Sequence, residues 1–345
     1  MVTKILDKLL SGDILEESEI KSVFAAMFQG DLSESQIAAF LAAWRVKGEG
    51  GMELQAGAES MRSVARPLSI APNLRPVIDN CGTGGDGAGT FNISTTAAVL
   101  AAACGARVVK HGNRSVSSKC GSADLFFGLG FPDNLSTESI LELLEKTGLT
   151  FFFAPQFHPL MKHVMPVRKS LGVRTIFNLL GPLANPLKPE YQLLGVGRKE
   201  YLKPMADACA KLGLERGLIV HSQDGLDEIS PCARTDCFWV SDGVVEPYCI
   251  DPKDYGVNVD SLGLKGGGVE DNVNIFWKIL KNEGEAGLAS AVSLNAAAVL
   301  WVFGIVAELK QGMELVNEAL ANGKALDYFT NWLKYANGLK PHSDH

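Results

Sequence analysis

The chain lacks the cysteine patterns that stabilise small secreted proteins or hold structural zinc. Its 345 residues include seven cysteines, an odd number without regular spacing, so a disulfide framework is not indicated. Cys232 and Cys237 are close in sequence, but no matching second pair follows them, which argues against a zinc site. We therefore expect reduced thiols in a cytoplasmic protein.

An excess of positive charge is also missing. The chain has 32 Lys and Arg residues against 39 Asp and Glu residues, a formal net charge of −7 at pH 7. Nucleic acids and anionic membranes attract proteins that present a basic surface. We therefore expect no nucleic acid and no membrane among the main partners, although local clusters of Lys and Arg can still bind a small anion.

Long apolar runs are scarce. The N-terminal segment carries Lys4, Asp7 and Lys8, so it lacks the continuous apolar centre of a signal peptide. Residues 288–307 contain no charge, but they are rich in alanine and include Asn295. No second span accompanies this run, which favours a buried core helix over a membrane helix.

The most informative stretch that is present extends from Cys81 to Thr95. Five glycines occur within eight residues, between an apolar pair at 77–78 and an alanine-rich helical pattern. This order predicts a strand, a glycine loop and a helix N-terminus, where backbone N–H groups can approach a phosphate. Asn92 and Ser94 add side-chain oxygens where the helix begins. The combination indicates a phosphorylated ligand with a metal ion.

Neither of the common nucleotide loops fits this stretch. A Walker A loop requires a lysine after its last glycine, and none follows here. A dinucleotide pattern can be aligned on Gly82, Gly84 and Gly87, but Asp86 inside it would repel a pyrophosphate unless a cation intervenes. The acidic residue therefore favours a magnesium ion or sugar hydroxyls at this loop.

A second loop with phosphate-binding character follows the next predicted strand. Residues 107–109 form a short apolar run, and Lys110, His111, Asn113 and Arg114 follow it together with several serines. Lys and Arg side chains can neutralise phosphate charge, and serine hydroxyls can donate to its oxygens. Two such loops at successive strand ends favour a shared ligand site over two unrelated surface loops.

The order of elements predicts an α/β protein that begins with helices. Residues 33–36 form a capping box before a helix, and a further helix is expected over residues 52–64. Short apolar strands at 77–79, 107–109, 149–153, 193–196 and 217–221 then alternate with helices at 95–104, 136–146 and 200–212. Such alternation predicts a largely parallel sheet with helices on both faces. Residues 236–249 are expected to add an antiparallel hairpin.

The motifs resemble those of the anthranilate phosphoribosyltransferases, which act in tryptophan biosynthesis. The resemblance rests on Gly82-Thr83-Gly84-Gly85-Asp86, Asn92-Ile93-Ser94-Thr95, Lys110-His111-Gly112-Asn113-Arg114, the stretch from Val167 to Pro186, and Asp224-Gly225-Leu226-Asp227-Glu228. These pieces occur in family order, and the resemblance covers nearly the whole chain. Pyrimidine nucleoside phosphorylases share the first motif, whereas the stretch that ends at Pro186 is more specific to the anthranilate enzymes.

The resemblance implies a fold and a reaction. The fold is a small all-helical domain over residues 1–72, with a returning helical segment near 164–185, and a larger α/β domain over residues 73–345. The reaction transfers the phosphoribosyl group of phosphoribosyl pyrophosphate (PRPP) to the amine of anthranilate and releases pyrophosphate. The active site would lie at the hinge between the two domains.

The resemblance also implies the site residues. The set for PRPP comprises Gly82, Gly85, Asp86, Thr90, Asn92, Ile93, Ser94, Thr95, Lys110, His111, Gly112, Asn113, Arg114, Ser115, Val116, Ser117, Ser118 and Ser122. The set for anthranilate comprises Gly82, which would leave space for the ring, with Asn113, His158 and Arg168. Ser94, Asp227 and Glu228 would bind Mg²⁺, two ions in all. The family further implies a homodimer and, as a separate partner, an anthranilate synthase chain.

The residues alone leave alternatives open. Adjacent acids such as Asp227 and Glu228 often form a solvated turn, and Arg168 on a helix can be a surface ion-pair residue. His111 is the candidate general base because a histidine near neutrality can accept a proton, but pyrophosphate or water can accept it too. A pyrimidine nucleoside phosphorylase would share the glycine loop without Arg168, and a non-enzymatic nucleic-acid binder would need a basic face.

Overall fold

A computed structural model describes residues 2–115, 119–257, 259 and 263–341. The chain begins with four helices, α1 (Val2–Leu10), α2 (Glu17–Gln29), α3 (Glu34–Lys47) and α4 (Gly51–Ser63). The predicted capping box is present at α3, where the Ser33 side chain accepts from the Gln36 N–H and the Gln36 side chain accepts from the Ser33 N–H at 3.0 Å. These four helices form the helical bundle.

A seven-stranded sheet follows the helical bundle. Its strands are β1 (Ile78–Gly82), β2 (Val108–Gly112), β3 (Leu149–Phe153), β4 (Tyr191–Gly195), β5 (Arg216–Ser222), β6 (Thr235–Ser241) and β7 (Val244–Ile250). The order is β3-β2-β1-β4-β5-β6-β7. The pairs from β3 to β5 are parallel, and β6 and β7 add the antiparallel hairpin. The predicted α/β class is therefore confirmed, and each predicted strand is present within a few residues.

The remaining helices cover the sheet and complete the C-terminal part. They are α5 (Ile93–Ala103), α6 (Ser122–Gly128), α7 (Thr137–Thr147), α8 (Ala154–Phe157), α9 (Met165–Leu171), α10 (Phe177–Leu180), α11 (Leu202–Lys211), α12 (Val269–Leu280), α13 (Ala286–Phe303), α14 (Leu309–Ala321) and α15 (Lys324–Asn337). Helix α13 is long and apolar enough to cross a membrane, but 67% of it is buried within the fold. This confirms the predicted core helix, which ends before residue 307 because Gly304 caps it with φ 88°.

Two hydrophobic clusters use opposite faces of the sheet, because successive residues of a strand point to opposite sides. Leu193 of β4 belongs to the cluster that contains α5 and α13. Leu194, the next residue, belongs to the cluster that contains the helical bundle and α11. The sheet is therefore buried on both faces, and the helical bundle packs against one of them.

Residues 164–180 pack against the helical bundle although they lie between β3 and β4 in the sequence. Val167, Ile176 and Phe177 are buried in the cluster of the bundle, and the Phe177 ring lies 5.6 Å from that of Phe24. The returning segment is divided into two helices, because Gly172 ends α9 with φ 62° and a short connection precedes α10.

Candidate active site

The glycine loop between β1 and α5 is held from two sides. Gly84 and Gly85 adopt φ of 64° and 74°, a region that residues with a side chain disfavour. The Gly84 N–H donates to Asp227 Oδ2 at 2.7 Å. Arg174 donates from Nη2 to the Gly84 carbonyl at 3.0 Å and from Nη1 to the Gly85 carbonyl at 2.8 Å. One carboxylate and one guanidinium therefore fix the path of the loop.

Gly82 provides space for Asp227. A Cβ atom at Gly82 would collide with the Asp227 carboxylate, and one at Gly195 would collide with the Asp227 backbone. These two glycines pair in β1 and β4, and the connection after β5 crosses directly above them. The space predicted at Gly82 for an aromatic ring is thus filled by Asp227 in this structure.

The acidic pair lies at the start of α5. Glu228 Oε1 accepts from the Ser94 N–H at 3.0 Å. Burial, and then the nearby Asp86 carboxylate, raises the pKa of Asp227 to about 7. Burial, and then the adjacent Asp227, raises the pKa of Glu228 to about 8. Buried carboxyls of like charge disfavour ionisation, so a cation bound here would stabilise their charged forms.

This donor set fits magnesium. Mg²⁺ takes hard oxygen ligands and is held in many phosphate sites by one or two carboxylates, with phosphate oxygens and water completing its shell. Asp227 and Glu228 supply such carboxylates, and Ser94 is hydrogen-bonded to Glu228. Among the residues that the structure describes, no three or more His, Cys, Asp or Glu side chains form a complete metal cage. An ion at this place would therefore complete its shell with water or with oxygens of a ligand.

The beginning of α5 presents further polar atoms. Asn92 Nδ2 donates to the Cys120 carbonyl at 3.2 Å, which ties α5 to the second loop. Asn92 Oδ1 and Thr95 Oγ1 are buried and have no hydrogen-bond partner within the described part of the chain, so both are available to a ligand or water. Ile93 is buried in the core, and Thr90 pairs with Lys265 in an isolated bridge.

Lys110 lies inside the sheet. It is 1% exposed, and its Nζ donates to the Asn80 carbonyl at 2.5 Å. Burial lowers its pKa, whereas the carboxylates of Asp79, Glu228 and Asp227 favour its charged form. The contact of Lys110 with a phosphate stays a prediction. In this structure its ammonium group offsets part of the negative charge of the acidic pair.

His111 and His158 form a buried pair. Their ring centroids are 5.3 Å apart, and both residues are nearly inaccessible to solvent. Burial, and then the neighbouring His158, lowers the pKa of His111 to about 3. The expected near-neutral pKa of His111 is therefore wrong, and the residue is a neutral, weak base. In the described part of the chain, His111 Nε2 and both ring nitrogens of His158 lack hydrogen bonds of normal geometry. The backbone of Gly181 interacts with the His111 ring, and those of Met61 and Ala184 interact with the His158 ring.

The second loop is shaped by Asp124. Its Oδ2 accepts from the N–H groups of Ser115 and Gly121, both at 2.9 Å. This carboxylate joins Ser115 to Gly121. The predicted site residues Val116, Ser117 and Ser118 lie outside the described part of the chain.

Other predicted residues of this loop are accessible. Asn113 is exposed, and its side-chain oxygen accepts from the Arg114 N–H at 2.7 Å. The Arg114 guanidinium lies 5.3 Å from the Phe127 ring centroid. Ser122 Oγ donates to the Asn113 carbonyl at 3.4 Å and occupies the space beside Gly112, where a Cβ would collide with it. The loop therefore leaves the Asn113 and Arg114 side chains near the surface.

Arg168 on α9 has no carboxylate partner among the residues that the structure describes. Its guanidinium lies 5.4 Å from the Phe177 ring centroid, and Nη1 is 3.5 Å from Met165 Sδ. Burial alone lowers its pKa, and no ion pair offsets this within residues 2–115, 119–257, 259 and 263–341. A half-buried guanidinium of this kind can bind a ligand carboxylate in a bidentate way.

Two residues with a clear place in the site were missed by sequence reasoning. Arg174 holds the glycine loop, and Asn295 of α13 holds the connection after the acidic pair. Asn295 Oδ1 accepts from the Ile229 N–H at 3.0 Å, and its Nδ2 donates to the Ile229 carbonyl at 2.9 Å. A single amide within an uncharged run was the available signal for Asn295. Arg174 had no comparable signal beyond its place six residues after Arg168.

Comparison with known proteins agrees with this geometry. Residues 74–326 match the family model described as "Glycosyl transferase family, a/b domain", and residues 3–65 match its helical bundle domain. The anthranilate phosphoribosyltransferase of Thermoanaerobacter sp. (strain X514) is 43% identical over 340 residues, 98% of this chain and 100% of that protein.

Solved structures are similar as well. The crystal structure of anthranilate phosphoribosyltransferase from Thermus thermophilus superposes with a TM-score of 0.89 at 42% identity, covering 96% of this chain and 99% of that one. The Saccharomyces cerevisiae enzyme in complex with PRPP and Mg superposes with a TM-score of 0.89 at 25% identity, and 98% of each chain is covered. The chain belongs to the anthranilate phosphoribosyltransferase family.

Proposed function

We propose that the protein transfers the phosphoribosyl group of PRPP to the amine of anthranilate in tryptophan biosynthesis. The products are N-(5-phosphoribosyl)anthranilate and pyrophosphate. The observation that carries this proposal is the contact of Asp227 with the glycine loop and of Glu228 with the start of α5. These contacts bring two carboxylates against two segments suited to phosphate, which is the arrangement that a metal-bound diphosphate requires.

The chemistry depends on the leaving group more than on a base. The aromatic amine of anthranilate is already neutral at pH 7, so no strong base is needed to expose it. The difficult step is the departure of pyrophosphate from a ribose carbon that becomes positively charged, and positioning and electrostatic stabilisation lower that barrier. Magnesium, when bound, spreads the charge of the diphosphate and makes it a better leaving group.

The chain's own residues then have distinct tasks. Ser94, Asp227 and Glu228 hold the metal, for which we propose two ions. His111 contacts the ligand and does not act as the base, since burial and His158 lower its pKa to about 3. The released proton passes to pyrophosphate or water. Lys110 supports the acidic pair by its charge. The other groups for PRPP are Gly82, Gly85, Asp86, Thr90, Asn92, Ile93, Thr95, Gly112, Asn113, Arg114, Ser115 and Ser122.

Anthranilate is recognised through its carboxylate. The unpaired guanidinium of Arg168 matches that group in charge and geometry. Asn113 and His158 offer polar atoms to the same ligand, since Asn113 is exposed and the His158 ring lies beside that of His111. The flat ring would lie beside the imidazole rings.

A fluorescence assay tests this function. Anthranilate fluorescence should fall with time only when PRPP and Mg²⁺ are both present, and Arg168→Ala should slow the loss strongly. Lys169→Ala is the matched control, because Lys169 is an exposed cation on the same helix and has no proposed role. An equal effect of the two substitutions would refute the carboxylate site, and no change with wild-type protein would refute the reaction.

The helical bundle exposes several large apolar side chains. We propose a cytoplasmic homodimer that forms through this bundle, with an anthranilate synthase chain as a separate partner. Leu10, Ile14 and Val46 are 65%, 71% and 88% exposed, and α1 packs against α3. Apolar side chains of this size rarely cluster on a surface that stays in water.

We further propose that the two domains divide near residues 72 and 73, with residues 164–185 belonging to the helical side. The family models end and begin at residues 65 and 74, which supports that division. The buried contacts of Val167, Ile176 and Phe177 with the bundle support the placement of the returning segment.

A further inference from the structure

Arg174 makes a contact that none of the roles above explains. It lies in the connection between α9 and α10, whose helices pack against α3 and α4 of the helical bundle. From that connection its side chain reaches the glycine loop of the sheet. Arg174 therefore joins two parts of the chain that belong to different hydrophobic clusters.

The contact consists of two parallel hydrogen bonds from one guanidinium. Nη1 donates to the Gly85 carbonyl at 2.8 Å, and Nη2 donates to the Gly84 carbonyl at 3.0 Å. A guanidinium is a rigid planar donor pair, so this grip fixes the orientation of two successive peptides. A Cβ atom at Gly85 would collide with the guanidinium, which shows how closely the two are fitted.

The preceding peptide of the loop is held by Asp227. Asp227 accepts from the Gly84 N–H at 2.7 Å and attracts the Arg174 charge, whereas Arg198 and Arg45 repel it. In the described part of the chain, the hydrogen bonds of the Arg174 side chain go to the two glycine carbonyls alone. The contact is thus specific to the loop and is not part of a surface ion-pair network.

We propose that Arg174 is a positioning residue for PRPP binding. By holding the Gly84 and Gly85 carbonyls, it keeps the glycine loop in the form that receives the diphosphate. It also ties that loop to the segment that carries Arg168, so that the diphosphate side and the carboxylate side of the site are held together. This inference rests on the proposed function, because PRPP is the ligand assigned to the loop.

Amide hydrogen exchange of the free protein tests the structural part. In Arg174→Met, peptides that cover residues 84–89 should exchange about tenfold faster or more than in wild type, because the loop loses two charge-assisted hydrogen bonds. Arg198→Met is the matched control, since Arg198 lies near Arg174 but pairs with Glu200 at 3.5 Å. Unchanged exchange in a folded Arg174→Met protein would overturn the proposal.

Kinetics test the functional part. In Arg174→Met the KM for PRPP should rise about tenfold with kcat changed less than about threefold, because the loop is loosened while the reacting groups remain. Arg174→Lys should have an intermediate KM for PRPP, since lysine keeps the positive charge but cannot donate two parallel hydrogen bonds. An equal rise of the KM for PRPP in Arg198→Met would show that the loss of any nearby positive charge has this effect, and would overturn the proposal. A fall in the kcat of Arg174→Met at constant KM would overturn it too. A wild-type protein without turnover would refute the proposed function and leave the exchange result standing.

Discussion

Asp227 and Glu228 illustrate how the surroundings of a residue decide its chemistry. In sequence they are two adjacent acids of an ordinary turn. In the structure each accepts a backbone N–H from a phosphate-type segment. Burial raises the pKa of both, and a neighbouring carboxylate adds to the effect, Asp86 for Asp227 and Asp227 for Glu228. A pair that resists ionisation in the free protein is stabilised by a divalent cation.

Asp227→Asn should therefore lose activity by at least about a hundredfold, because it removes a metal ligand and its negative charge. Initial rates at increasing Mg²⁺ would measure both the maximal rate and the metal requirement. Asp224→Asn is the control, since Asp224 accepts from Ser230 Oγ and asparagine retains that acceptor. Normal activity of Asp227→Asn at low Mg²⁺ would contradict the metal role.

His111 provides a pH prediction. Its pKa is about 3 in the folded protein and about 6.5 in an unfolded chain. Between these values the unfolded chain binds more protons, so the stability that His111 contributes is complete above about pH 6.5 and is lost as the pH falls through this window. At pH 5 the free energy of unfolding has lost roughly 2 kcal/mol of the contribution from His111.

Urea unfolding of wild type and His111→Asn at pH 7.5 and pH 5 would test this difference. The free energy of unfolding should fall less with acidification in the variant. The change in the free energy of unfolding between the two pH values is compared, and not its absolute value, because the substitution also changes packing. Equal slopes in the two proteins would contradict the buried neutral state of His111.

Most site residues could be predicted from motifs, but their contacts could not. The glycine loop, the Asn92 to Thr95 stretch and the acidic pair are local patterns that carry their own chemistry. That Gly82 makes room for Asp227 and that Lys110 is buried depends on strands β1, β2 and β4 being neighbours. Such pairing joins residues far apart in sequence, and no local pattern contains it.

At the scale of elements, the glycine loop works because its backbone path needs no side chains. Gly85 and Gly87 both adopt φ of 74°. A Cβ at Gly85 would collide with Arg174, whereas one at Gly87 would meet nothing within 4 Å. A substitution at either glycine would therefore strain the backbone equally. Only a substitution at Gly85 would also bring a Cβ atom into collision with Arg174.

Gly85→Ala and Gly87→Ala should each lose about 1 kcal/mol of stability from that strain. Only Gly85→Ala should also displace Arg174, and its KM for PRPP should rise about tenfold above that of Gly87→Ala. Thermal unfolding and PRPP titrations of the two variants would measure these effects. Equal KM values would show that the fit between Gly85 and Arg174 is unimportant.

Helix α13 supports the acidic pair through Asn295. This amide is fully buried and satisfies both backbone groups of Ile229, directly after Glu228. Asn295→Leu should lower the free energy of unfolding by about 3 kcal/mol, because two buried backbone groups lose their partners. It should also raise the Mg²⁺ concentration needed for half-maximal rate.

Ser293→Ala on the same helix is the control for that prediction. Ser293 Oγ donates to Asn317 at 2.8 Å, away from the acidic pair. This variant should lose about 1 kcal/mol with an unchanged Mg²⁺ requirement. An equal rise in the Mg²⁺ requirement of both variants would mean that α13 affects the acidic pair only through the overall stability of the protein.

Elements with strong local signals were predicted well. The capping box at Ser33 and the strands of the sheet belong to this group. The stretch from 164 to 180 was less predictable, since its break depends on the αL conformation of Gly172. Its packing against Phe24 is a long-range contact that periodicity does not report.

At the scale of the whole molecule, one sheet serves two hydrophobic clusters and the helical bundle remains partly apolar on its outer side. Val46 is 88% exposed on α3. If the dimer forms through this bundle, Val46→Asp should weaken it, since a charge in an apolar interface loses its hydration. Sedimentation velocity over a range of protein concentrations should show a larger monomer fraction, with dissociation about tenfold easier or more.

Val244→Asp is the control for the dimer, because Val244 is 56% exposed on β7 of the α/β part. Its sedimentation should equal that of wild type. A Val46→Asp protein that sediments like wild type at all concentrations would place the interface elsewhere.

The central claim is that phosphoribosyl transfer joins the two ligands and releases pyrophosphate. The most direct measurement follows anthranilate fluorescence and released pyrophosphate together in one reaction with PRPP and Mg²⁺. We expect one pyrophosphate for each anthranilate consumed, and neither signal when PRPP or Mg²⁺ is omitted. Pyrophosphate release without loss of anthranilate, or no change in either signal with folded protein, would contradict the account.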